Sequence, residues 1–269
     1  MIPLLEANGI SVRIGEKWAS RDLNLTIEKG ERWGILGING SGKTSLLLSL
    51  CGLREIASGE IRVHGKSISA MEKREIARVI GMLFQDTEDP FPSTVMETAL
   101  MGLHPRTGPW HRESAAEEEI ARSALHAVGL SGMEMRLADT LSGGERRRLS
   151  LATLLVQDPE LFLLDEPTNH LDIAQQIRIL DLLGKSGKSL VMVLHDPNLA
   201  ERYCDKVLMI FENGITLAGE SEEMLNESNL SSLYHHPIAC LESPGGRFFY
   251  PAIDPNQNKV RAPSNLEEK

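Results

Sequence analysis

Three things are scarce in this sequence, and each scarcity closes off a class of function. Cysteine occurs only at Cys51, Cys204 and Cys240 in a chain of 269 residues. Odd in number, widely spaced and outside any CxxC pattern, the three suit free packing thiols in a reducing compartment rather than disulfides or a zinc site. Basic charge is also short, with 28 Lys and Arg against 38 Asp and Glu and a formal net charge of -10. Such a chain lacks the broad positive field that holds nucleic acid by its phosphates. Long apolar runs are missing as well, since no stretch approaches the roughly 18 to 20 residues that cross a bilayer. The opening Met1-Ile2-Pro3-Leu4-Leu5-Glu6 has neither the basic nor the apolar region of a secretory leader. The expectation is a cytoplasmic chain that by itself neither spans a membrane nor is secreted.

What is present is ordinary globular composition, 41% hydrophobic and 25% charged, enough for one large domain with lobes. Alternating apolar residues predict strands at Ile10–Ile14 and Leu23–Glu28, broken by turns at Gly15 and at Lys29-Gly30, which together make a small β layer. Further strands are expected at Glu60–Val63, Val79–Phe84, Leu161–Leu164, Leu190–Leu194 and Val207–Phe211, with helical patterns between several of them. That alternation implies a parallel α/β core. Between Thr94 and Val156 the strand signal fades, and helical runs at Val95–Met101 and Glu113–Val128 predict a helical insertion. The run Glu117-Glu118-Glu119 reads as a solvated helix face rather than a metal cluster, and the adjacent His235 and His236 as structural. From Ser243 onward Pro, Gly and Asn accumulate, aromatics end at Tyr250, and the last residues are expected to fray or dock loosely.

Residues 37 to 44, Gly-Ile-Asn-Gly-Ser-Gly-Lys-Thr, match the phosphate-binding pattern GxxxxGK[ST], between the apolar run Trp33–Leu36 and a leucine-rich helix. Glycines there let consecutive N–H groups turn toward phosphate oxygens, and a helix N-terminus favours anions. Lys43 is placed to reach the β- and γ-phosphates, and the Thr44 hydroxyl to ligate Mg²⁺. Downstream, the apolar strand Leu161–Leu164 delivers Asp165 and Glu166 at its C-terminal end, where parallel sheets bind ligands. Asp165 would hold Mg²⁺ and Glu166 would polarise the attacking water. Leu141-Ser142-Gly143-Gly144-Glu145 opens a helical run, Glu145–Val156, with a second anion-seeking N-terminus.

LSGGE resembles the signature motif of the ATP-binding-cassette (ABC) ATPases. With the loop at 37–44 and the strand ending in Asp165-Glu166, in this order and spacing, the chain resembles one complete cassette over residues 4–240. The resemblance implies a P-loop NTPase fold: a RecA-like parallel sheet core, an N-terminal antiparallel β layer and an inserted α-helical subdomain at about 94–156, with 241–269 a partly flexible extension. It extends to Gln85 as the Q-loop glutamine, Asn169-His170-Leu171-Asp172 as the D-loop and His195 as the switch histidine. The catalytic set it implies is Lys43, Gln85, Glu166 and His195. For ATP it implies Ile14, Gly37, Ile38, Asn39, Gly40, Ser41, Gly42, Lys43, Thr44 and Ser45, completed from a second copy by Ser142, Gly143, Gly144, Glu145 and Asp172. For Mg²⁺ it implies Thr44, Gln85 and Asp165.

At the position where many cassettes stack an aromatic on adenine this sequence has Ile14, with Trp18 nearby; either apolar contact from Ile14 or a Trp18 that swings in is open, as is a Trp18 that only packs the β layer. The triplet Arg146-Arg147-Arg148 suits intramolecular or cross-dimer contacts better than DNA. Within the family, the segments Thr94–Pro105, Asp165–Gln176 and Val193–Val207 resemble ATPase subunits of bacterial importers for iron-siderophore, haem and cobalamin. That likeness implies an ATPase homodimer, peripheral on the inner face of the cell membrane, working with a permease and a substrate-binding protein. The permease contact is expected near Gln85 and along Asp86–Ser93. A soluble cassette of a cofactor or cluster assembly system, or an exporter motor, shares the same catalytic residues.

Overall fold

The computed structural model describes residues 2–85, 92–108, 111–169, 171–244 and 246–252. Strands β1 (Leu5–Ile14) and β2 (Lys17–Ile27) form an antiparallel hairpin, joined by β4 (Ser58–Val63) and the short β5 (Lys66–Ser67) in the order β2-β1-β4-β5. Both hairpin strands are longer than their alternation indicates. Register shifts between Ala7 and Ile10 and between Ile10 and Val12 interrupt the period-2 pattern and hide the first half of β1.

The second sheet has the order β10-β9-β3-β8-β7-β6, from β3 (Arg32–Gly37), β6 (Ile80–Leu83), β7 (Leu161–Asp165), β8 (Ser189–Val193), β9 (Lys206–Ile210) and β10 (Thr216–Glu220). All neighbours are parallel except β10, which runs antiparallel to β9. Its parallel strands are apolar nearly throughout because both faces are covered. Phe162 and Leu164 face one apolar cluster with the helical subdomain, while Leu161 and Leu163 face the other, with the β layer. Helix α1 (Lys43–Leu50) lies in the second cluster and buries Leu46, Leu47 and Leu50 between the two sheets.

The remaining helices are α2 (Lys73–Val79), α3 (Val95–Leu100), α4 (Ala115–Ala127), α5 (Gly143–Gln157), α6 (Ile173–Gly184), α7 (Pro197–Tyr203), α8 (Ser221–Met224) and α9 (Glu227–Tyr234). Helices α3, α4 and α5 pack together through Val95, Ala99, Leu125, Leu149 and Ala152, and this apolar cluster is continuous with one face of the parallel sheet. Beyond α9 the C-terminal segment forms a small sheet of its own. Strands β11 (Ile238–Ser243) and β12 (Gly246–Pro251) pair as an antiparallel hairpin whose Phe249 is buried in the main core. A boundary at residue 240 falls inside β11. In sequence, Pro244-Gly245-Gly246 followed by Phe248-Phe249-Tyr250 is a turn followed by a strand former. The expectation for residues beyond 252 lies outside the described residues.

Candidate active site

Four neighbouring strands of the parallel sheet end on one edge. β3 runs into the loop at 38–42 and α1, β8 ends just before His195, β7 delivers Asp165 and Glu166, and β6 ends before Gln85. Because β3, β8, β7 and β6 are adjacent in that order, groups distant in sequence meet around one cavity of about 560 Å³. Its walls include Ile14, Asn39, Gly40, Gly42, Lys43, Thr44, Ser45, Gln85, Glu166, Asn169 and His195.

The loop conformation depends on glycine. At Gly42 φ is +99°, and a Cβ there would stand 2.3 Å from Ala19 Cβ, so only glycine lets the loop lie against the β layer. At Gly37 a Cβ would meet Ser41 Oγ at 2.7 Å and Ile210 O at 2.8 Å. Lys43 is buried, 6% exposed, and its ammonium donates to Gly37 O at 2.9 Å and Ile38 O at 3.0 Å. Burial lowers its pKa, while Glu166 and Asp165 oppose that shift. One of its three donors remains for a ligand.

Asp165 is fully buried, and neither carboxylate oxygen has a hydrogen-bond partner among the described residues. Desolvation raises its pKa; the Thr44 hydroxyl beside it, Arg147 and Lys43 act in the opposite sense. An unsatisfied buried carboxylate flanked by a threonine hydroxyl, at the floor of a glycine cradle, is a donor set suited to a hard cation carrying phosphate oxygens. Mg²⁺ with a nucleoside triphosphate fits these residues.

Glu166 follows at φ +53°, a left-handed conformation that costs a non-glycine residue about 1 kcal/mol or more. That turn brings the carboxylate back over the cavity. Oε1 pairs with His195 Nε2 at 2.7 Å, and Oε2 accepts from Gln85 Nε2 at 3.2 Å and from Asn169 Nδ2. Glu166 is 8% exposed whereas the His195 ring stands 42% exposed at the mouth. A shielded carboxylate held by three partners beside a phosphate cradle has the geometry of a general base.

Other expected residues lie apart from this cavity. Ser142 caps α5 and forms a reciprocal pair with Glu145: Ser142 N donates to Glu145 Oε2 at 2.7 Å and Glu145 N to Ser142 Oγ at 3.3 Å. Ser142 and Gly143 are exposed, with nothing within 4 Å of the Cβ position of Gly143, so the N-terminus of α5 points into open space. Asp172 is exposed and caps α6, accepting from Gln175 N at 2.8 Å. His170 and residues 86–91, where the permease contact was expected, lie outside the described residues. Ile14, not Trp18, lines the cavity; the Trp18 ring meets the Arg13 and Arg21 guanidiniums at 5.6 and 5.0 Å from its centre.

Two residues named in the sequence make contacts at the site that their motifs did not specify. Asn169 holds Glu166 directly, and its place three residues after a strand-end carboxylate was the available signal. Arg147, 7% exposed, donates from α5 to the main-chain oxygens of Phe84, Gln85, Asp165 and Glu166. One guanidinium therefore fixes the ends of β6 and β7 to the helix that begins at Ser142. Within an Arg-Arg-Arg triplet nothing in the sequence singles out the middle member, because its burial is decided by tertiary packing.

Comparison with known proteins agrees with this geometry. The ABC transporter family model matches residues 20–169. A petrobactin import ATP-binding protein of Bacillus anthracis is 36% identical over 234 residues, covering 86% of this chain and 86% of that protein. A hemin import ATP-binding protein of Shewanella denitrificans is 35% identical over 242 residues, covering 87% and 94%. An uncharacterized ABC transporter ATP-binding protein of Bacillus subtilis is 34% identical over 97% of this chain, which spans 60% of that protein's length. Among solved structures, a metal-chelate type ABC transporter in an inward-facing conformation superposes with a TM-score of 0.80 at 26% identity, over 93% of this chain and 98% of that one.

Proposed function

The chain belongs to the ABC transporter family, and from that premise we propose that it is the ATP-hydrolysing subunit of a bacterial importer of a metal chelate: iron-siderophore, haem or cobalamin. The observation that carries the catalytic part is Glu166, held by His195, Gln85 and Asn169 in the wall of a cavity that Lys43 and Thr44 also line, with the buried Asp165 next to it in the chain. In this reading the loop N–H groups of Gly37–Ser45 and the Lys43 ammonium bind the phosphates of ATP. Thr44, Gln85 and Asp165 would hold Mg²⁺, which would supply charge neutralisation at the phosphates. Glu166 accepts a proton from water as the water oxygen bonds to the γ-phosphorus in line. The bond from that phosphorus to the bridging oxygen breaks, releasing ADP and phosphate. His195 fixes the carboxylate and the water, and Ile14 supplies apolar contact toward the base.

Two copies assemble head to tail in this proposal, so that Ser142, Gly143, Gly144 and Glu145 of one face the ATP on the loop of the other, with Asp172 at the seam. Support comes from the exposed α5 N-terminus, which lines no part of its own chain's cavity. A cassette unit at 4–240, including the helical subdomain at 94–156, belongs to the same reading. The importer part is supported by the petrobactin and hemin import relatives and by the metal-chelate type transporter. Among the described residues no helix is long and apolar enough to cross a membrane. A separate permease forms the path, a substrate-binding protein delivers the chelate, and the chain sits on the inner membrane face.

The test is affinity capture with a tagged Glu166→Gln chain and Mg-ATP from detergent-solubilised membranes and from cytosol. Recovery of a multi-span membrane protein is expected. Recovery of soluble partners alone would retire the importer reading in favour of cofactor or cluster assembly.

A further inference from the structure

The C-terminal hairpin and α9 lie beyond the residues matched by the family model, yet their polar contacts converge on one short element, α7. That helix begins two residues after His195. Its cap is Asp196, whose Oδ1 accepts from Asn198 N at 2.8 Å and Asn198 Nδ2 at 2.9 Å. The same Asn198 amide reads the main chain of β12 in both directions, donating to Phe249 O at 3.0 Å and accepting from Phe249 N at 2.7 Å. One helical turn further, Glu201 receives the Arg247 fork at 2.9 and 2.7 Å. The remaining Arg247 nitrogen donates to Glu222 O and Leu225 O, both at 2.9 Å. From α9, the Tyr234 hydroxyl donates to the main-chain oxygen of His195 itself at 3.4 Å.

We propose that α9 and the β11–β12 hairpin form a brace that positions His195 against Glu166, with Tyr234, Asn198, Glu201 and Arg247 as its positioning residues. The His195 ring is 42% exposed and meets Glu166 Oε1 at 2.7 Å, so its aim depends on where the backbone at 195–196 is held. A displacement approaching an ångström lengthens that contact out of the hydrogen-bond range, and errors of this size at a reacting centre are expensive in rate. The bland reading, a hairpin that only covers the core with Phe249, explains the 3% exposure of that residue. It does not explain why the Phe249 main chain and the Arg247 fork both close on α7, at Asn198 and Glu201, one turn apart on the same face. Burial and Asp196 push the Tyr234 phenol up to about 12, so it remains a donor across physiological pH. The hairpin is itself anchored on α9 by Ile238 N to Ser231 Oγ at 2.8 Å and Cys240 N to Glu227 Oε1 at 2.6 Å, which makes the brace one piece. Lifting it from α7 lowers turnover while nucleotide stays bound, a handle for regulating the site from outside the cavity.

The proposal rests on the ATPase reading, and the experiment separates the two. The full chain and its Tyr234→Phe, Asn198→Ala, Arg247→Ala and Arg247→Lys variants are compared in steady-state ATP hydrolysis, ATP binding and NMR of the His195 ring, assigned with His195→Ala. Loss of one such hydrogen bond is expected to lower kcat about threefold to tenfold, with KM for ATP and ATP affinity within about twofold. The His195 ring signals shift, and Arg247→Lys retains more activity than Arg247→Ala. Folded Asn198→Ala and Arg247→Ala chains with unchanged kcat and unchanged ring signals overturn the brace. If those two fail to fold, Tyr234→Phe, which removes a single hydroxyl, decides on the same readouts. A wild-type chain that does not hydrolyse ATP sinks the ATPase reading alone, and the ring signals then decide the brace.

Discussion

Asp165 is the residue at which folding and function conflict most openly. Its carboxylate is buried without a donor, and its pKa is raised above the ordinary value by desolvation first. A raised folded pKa stabilises the fold below the unfolded value of 3.8, and that contribution is lost as pH rises through the folded pKa. At neutral pH the ionised group therefore works against the fold. We expect Asp165→Asn to unfold in urea at or above the wild-type midpoint at pH 7 without nucleotide, with the advantage shrinking as pH falls toward 4, while Mg²⁺-dependent ATP turnover is lost. A variant clearly less stable than wild type at pH 7 would refute this account of the buried charge. The position of Asp165 was legible because an apolar strand ending in two carboxylates is a local pattern. Arg147 was not legible, since its four carbonyl acceptors come from two strands more than a dozen residues away.

At the scale of elements, the helical insertion repeats one device. Helices α3, α4 and α5 each open on a reciprocal cap, Thr94 with Glu97, Ser114 with Glu117 and Ser142 with Glu145. In α4 the Ser114 backbone and hydroxyl, with His111, hold Glu117 down at about 2. A depressed carboxylate stabilises above its unfolded value of 4.5 and loses that effect as pH falls through about 2, so this cap persists well into acid. In the proposed dimer the Ser142 cap would have a second use. Ser142→Ala is expected to lose about 1 kcal/mol of stability and also most ATP turnover, whereas Ser114→Ala weakens α4 and leaves turnover near wild type. Equal turnover in the two variants, measured beside their thermal melts, would remove Ser142 from the nucleotide site. The strands of the parallel sheet were readable because burial on both faces makes them continuous apolar runs. The start of β1 was hidden by bulges, and the C-terminal hairpin by the Pro and Gly in its sequence, whose composition resembles that of a tail.

For the whole molecule, the decisive fact is that two anion-seeking helix ends point into different spaces. The N-terminus of α1 closes the cavity of its own chain, while that of α5 is exposed and lines no part of it. In the proposed dimer a single copy would present half a site twice. Arg147 ties α5 to the carbonyls of Asp165 and Glu166, so the outward-facing end is mechanically linked to the proposed general base of its own chain. Bound ATP would carry negative charge to the rim of one copy, where the positive end of α5 from the other can meet it. Two copies of a chain with a net charge of -10 repel, so closure should need ATP and should strengthen with salt. We expect Glu166→Gln, which keeps the pocket and removes the base, to bind Mg-ATP without turnover and to run as a dimer by light scattering. The same chain with Mg-ADP should run as a monomer. Adding Ser142→Arg should leave ATP binding to the monomer intact and abolish the dimer, because the larger cation fills the space that the α5 end offers to a partner's phosphates. An ATP-loaded Glu166→Gln chain that stays monomeric over a range of concentrations and salt would show that each copy works alone, and the exposed α5 terminus would then need another role.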